Sequence, residues 1–80
     1  MSLMKRYAED SEALADRAAV VAWTDDTDQR FEELRALYED CHKAADIYAD
    51  PAAVAELFVR VVTDTFHDAR GLVVGLPALV

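Results

Sequence analysis

Eighty residues, sixteen of them Asp or Glu against eight Lys or Arg, give a formal charge of −8, so nucleic-acid phosphates and anionic membrane surfaces would be repelled by most of this surface. A hydrophobic content of 54% excludes a chain too polar to fold, and one domain spanning 1–80 is the expectation at this size. With one cysteine, no internal disulfide can form, and the absence of an apolar leader or a bilayer-length run makes the cytoplasm the expected compartment.

The first predicted helix covers about residues 4–23, with Leu3, Tyr7, Leu14, Ala18 and Val21 on one stripe, Ser11 inside it, and Glu9, Glu12 and Asp16 opposite. Met1 to Leu3 precede a second methionine and carry no functional weight in this reading. Neither Gly nor Pro occurs in residues 1–50, so the break after this helix must be the polar cluster TDDTD at 24–28. Its side chains can accept hydrogen bonds from free amides at a helix start. Trp23, off the stripe, either shields that turn or anchors a partner.

The second helix is expected over about 28–48. Phe31, Leu34, Tyr38, Cys41, Ala45 and Tyr48 recur at a three-four spacing that resembles a coiled-coil seam. Cys41 lies in that seam as a small core hydrophobe rather than a reactive thiol. Asp50 then fits an N-cap and Pro51 the first position of a third helix, expected over about 51–70 with Gly71 as its stop. Its apolar arc, through Val54, Leu57, Phe58, Val61, Val62, Phe66 and Ala69 with Val59 at the edge, is wider than one inward stripe requires. Three matched helices with short connections imply an all-α, antiparallel three-helix bundle. The uncharged LVVGLPALV at 72–80 is expected to form an apolar arm across the bundle or a second subunit.

Two acid-x-x-His pairs raise the question of a metal: Glu39 with His42, and Asp64 with His67. The spacing resembles that of ferritin-like carboxylate proteins, where such pairs face inward and other helices add glutamates. Here the helical phase turns Glu39 and His67 away from the apolar arcs and leaves His42 on a flank. Both pairs are therefore read as solvated faces, with no metal and no cofactor expected. Arg60 and His67, and likewise Arg35 and His42, resemble the Arg-x(4 to 6)-His pattern of HEPN-type ribonucleases. That resemblance implies RNA cleavage, which the −8 charge opposes.

The reading that remains is a small, acidic, non-catalytic protein-interaction module that self-associates, most simply as a homodimer. The expected interface is Val59, Val62, Phe66, Leu72, Val73, Leu76 and Leu79, with Trp23 as a partner anchor. An alternative is an acidic decoy whose Glu9, Glu12, Asp16 and TDDTD carboxylates occupy a basic site on a nucleic-acid-binding protein.

Overall fold

The computed structural model describes residues 2–75. They form three helices, α1 (Leu3–Ala22), α2 (Thr27–Ala45) and α3 (Pro51–Gly75), and no strand is present among the described residues. Each start is a local capping event. The Ser2 hydroxyl accepts from the Lys5 N–H at 3.2 Å, an Asp26 carboxylate oxygen accepts from Gln29 N–H at 2.8 Å, and Asp50 accepts from Ala53 N–H at 3.3 Å. Each bond satisfies an amide that the helix itself leaves free. Pro51 occupies the first position of α3, where its missing N–H leaves nothing unpaired.

Two boundaries differ from the sequence reading. The second helix stops at Ala45, three residues before the expected 48, because Asp46 and Tyr48 donate to carbonyls only three residues back, Lys43 and Ala45. That tightened turn swings the Tyr48 ring inward. The third helix does not stop at 70: it runs through Gly71 to Gly75, and no described glycine has a positive φ. A glycine ends a helix by taking the left-handed conformation, and Gly71 keeps the helical one. Leu72 and Val73, expected in an extended arm, are therefore the last turns of α3, while Leu76 and Leu79 lie outside the described residues.

The core joins Leu14, Ala18, Val21 and Ala22 of α1 to Leu37, Cys41 and Ala45 of α2 and Ala55, Phe58, Val62, Phe66 and Ala69 of α3. Alanines at five of these positions let helix backbones approach closely, and the large side chains fill what remains. Leu37 is fully buried although it lies outside the expected three-four seam. The reason is that α2 meets two neighbours: Asp40 bonds Arg17 of α1, and the Tyr38 hydroxyl bonds the Thr63 hydroxyl of α3 at 2.8 Å. Leu37 and Cys41 lie between those two contacts.

The breadth of the α3 apolar arc has the same origin. This helix packs on both α1 and α2, so Val62, at 0% exposure, and Phe66, at 9%, are enclosed within the single chain. Val59 packs partly buried against them.

Polar contacts hold the connection between α1 and α2. Trp23 caps α1, its N–H donating to the Val20 carbonyl at 3.1 Å while the Thr24 N–H donates to the Val21 carbonyl at 3.0 Å. The Thr24 hydroxyl donates to Glu33 at 2.9 Å, and the Arg30 guanidinium donates to the Thr24 carbonyl at 2.9 Å. From α3, the Arg70 guanidinium donates to the Ala22 carbonyl at 3.0 Å, satisfying one of the last acceptors of α1.

Candidate functional site

The four candidate metal ligands are all exposed: Glu39 and His42 on α2, Asp64 and His67 on α3. The helical phase placed both pairs away from the core, and there they stand. Among the described residues no three His, Cys, Asp or Glu side chains converge on a point that could hold an ion. The His67 ring meets the edge of its neighbour Phe66, centroids 5.8 Å apart. Arg35 and Arg60 are exposed on the same helices as their histidine partners, so each Arg and His pair decorates a convex helix face.

Cys41 is fully buried. Burial pushes its thiol up to about 11, Asp40 adds to the rise, and the Arg17 guanidinium opposes it. At neutral pH the group is a protonated thiol without nucleophilic character, so it serves packing.

What the surface does offer is apolar area, divided between the two ends of the bundle. At one end the Tyr7 and Phe58 rings stack at 5.2 Å, and Tyr48 meets both edge-on at 6.3 and 6.2 Å. The cluster is contributed by α1, α3 and the turn after α2. The Tyr48 hydroxyl is buried without a hydrogen-bond partner, and its pKa is raised, first by burial and then by the Asp10 carboxylate. Exposed Leu3 and Met4 edge a shallow dip of about 270 Å³ beside Tyr7 and Tyr48.

At the other end the register of the helices decides what is covered. Arg17 pairs with Asp40, and Thr24, just past the end of α1, pairs with Glu33. Residue 31 therefore falls past Ala22, where α1 has stopped. That is why Phe31, a seam residue by spacing, is 59% exposed. On α3 the Arg70 bond to Ala22 marks the same level, so residues 71–75 also outrun α1. Leu72, at 68%, and Val74, at 63%, are exposed there, with Val73 half-buried between them. Trp23, at the end of α1, is half exposed.

A second apolar feature runs along the side, between α1 and α2. An open trough of about 430 Å³ is lined by Asp16, Arg17, Val20, Val21, Glu33 and Ala36. On the other side of the Arg17–Asp40 ion pair lies a second hollow of about 310 Å³, between Ala13 and Ala44. The ion pair is short, 2.7 Å, yet partly exposed on both sides. Such a surface pair contributes about 0–1 kcal/mol. Val20, on the polar flank of α1 by sequence phase, is 71% exposed on this trough. The trough depends on the spacing of two helices, which periodicity along one helix does not report.

No protein family, curated protein or solved structure matches the chain.

Proposed function

We propose that this chain is a small, acidic, non-catalytic interaction module of the cytoplasm, an antiparallel up-down-up bundle that self-associates through the end where α2 and α3 outrun α1. The carrying observation is the exposure of Phe31 on α2 and of Leu72 and Val74 on α3, past the level of Ala22 among the described residues. The contacts of Tyr7 with Tyr48, Arg17 with Asp40 and Tyr38 with Thr63 support the alternating helix directions. Of the residues expected at an interface, Leu72 and Val73 belong to this end, and Leu76 and Leu79 follow it in sequence. Val62 and Phe66 are core residues, and Val59, next to Phe58, is partly buried nearer the opposite end, so these three lie outside the proposed contact. Trp23 supplies an aromatic anchor at the margin.

At about 25 cal/mol per Å², covering even a few hundred Å² of apolar surface per subunit contributes several kcal/mol before the entropy of association is subtracted. A two-fold arrangement closes such a surface on itself. Because each copy carries −8, salt should strengthen the pairing by screening repulsion between subunits.

The test is light scattering on the full chain at micromolar concentration, repeated with Phe31→Asp and Leu72→Asp. A dimer that each substitution converts to a helical monomer supports the reading. A monomer for the unmodified chain in both low and moderate salt overturns it.

A further inference from the structure

We propose that the trough between α1 and α2 docks a basic amphipathic helix of another protein. From Asp10 to Val21 the α1 wall of the trough covers eleven steps, about 17 Å at 1.5 Å per residue. That length seats roughly three turns of a partner helix. The floor is apolar and mostly low: Ala13, Ala36 and Ala44 stand under an incoming helix, while exposed Val20 offers a larger contact. Recognition of this kind lays the apolar face of one helix into a groove and reads it through side chains spaced three and four apart.

Charge selects the occupant. Asp16 stands on the α1 lip, and Glu12 and Glu9, one and two turns earlier on the same strip, are likewise exposed. On the α2 lip stand Glu33 and Asp40, with exposed Glu32 and Glu39 behind them. The cations within the trough are Arg17 and Lys43, and Arg17 is already engaged by Asp40. A second copy of this chain would bring the same acidic lips against these and be repelled, as would a phosphate backbone. A helix with leucines on one face and lysines or arginines on its flanks satisfies floor and lips together. The Arg17–Asp40 pair crosses the middle of the trough and is exposed enough to be displaced, its carboxylate then facing an incoming cation.

This surface lies along the side of the bundle, not at the end proposed for self-association, so either proposal can fail alone. The test titrates the isotope-labelled full chain with an 18-residue synthetic peptide that carries leucines on one helical face and lysines on the other. Its control is a scrambled peptide of identical composition without an apolar face. The expected result is amide shifts concentrated in residues 10–21 and 33–44, at least tenfold weaker binding by Ala36→Arg, and unchanged binding by the Phe31→Asp chain. Ala36 is exposed, so its substitution leaves the core untouched, and Val20→Asp provides a second block of the floor. Equal binding of the scrambled peptide, shifts spread over α3, or full affinity in both trough variants would overturn the proposal. Shifts at the same residues produced by adding unlabelled chain would also overturn it, by assigning the trough to self-contact.

Discussion

At the end where α1 begins, Tyr7 of α1, Phe58 of α3 and Tyr48 of the turn after α2 close on one aromatic cluster, whereas at the other end Phe31 of α2 and Leu72 and Val74 of α3 are exposed. Both ends are rich in apolar residues, so composition does not separate them. Helix length does. The last turns of α3 and the first of α2 extend past Ala22, and each apolar side chain on them loses the neighbour it would have had. The lesson is that burial in a bundle belongs to the register between helices as much as to the periodicity within each.

The largest expected effect contrasts two phenylalanines. Phe58 is fully buried and Phe31 is 59% exposed. Phe58→Ala should cost about 3–5 kcal/mol in chemical denaturation, a large share of what so small a domain possesses. Phe31→Ala, measured at low protein concentration where association is negligible, should fall within about 0.5 kcal/mol of the unmodified chain. Comparable losses at both positions would abolish the distinction between a closed and an open end.

How much of this was legible beforehand follows the range of the interactions involved. Asp26 and Asp50 cap their helices through side chains that reach three residues along the chain, so TDDTD and Ala49-Asp50-Pro51 announce them locally. The outward direction of Glu39, His42 and His67 follows from helical phase alone and was equally legible. The exposure of Phe31 was not, because its stripe is correct and only the end point of a different helix uncovers it. The trough at Val20 and Ala36 likewise needs two helices to exist. Gly71 is a third kind of case, since glycine permits a stop without requiring one.

A smaller effect sharpens how far the closed region extends. Cys41 ionises near 9.0 in an unfolded chain and near 11 in the fold, so between those values the unfolded state releases a proton that the folded state keeps. The stabilisation associated with the neutral thiol is complete below about pH 9 and is lost as pH rises through about 11. Tyr48, also raised, acts in the same direction. Stability should therefore fall above pH 9, with Cys41 contributing at most about 3 kcal/mol. Cys41→Ala should remove part of that slope. A thiol reagent at neutral pH should modify the native protein far more slowly than the unfolded one; equal rates would place Cys41 on the open side of the comparison.

The smallest effect tests the open end itself. Gly71 lies in helical conformation one residue beyond the Arg70 contact that marks the end of α1, and a Cβ added there meets nothing within 4 Å. In an exposed helix interior, alanine exceeds glycine by roughly 0.5–1 kcal/mol because it has less backbone freedom to lose. Gly71→Ala should therefore raise stability by about that amount and lengthen hydrogen-exchange protection in residues 71–75, with no change near Tyr7, Tyr48 and Phe58. The sign is decisive. Were Gly71 a left-handed stop, as its place after Arg70 suggests, the same substitution would strain the backbone and lower stability instead. α3 would then end level with α1, Leu72 and Val74 would leave the helix, and the open end would lose one of the two helices that build it.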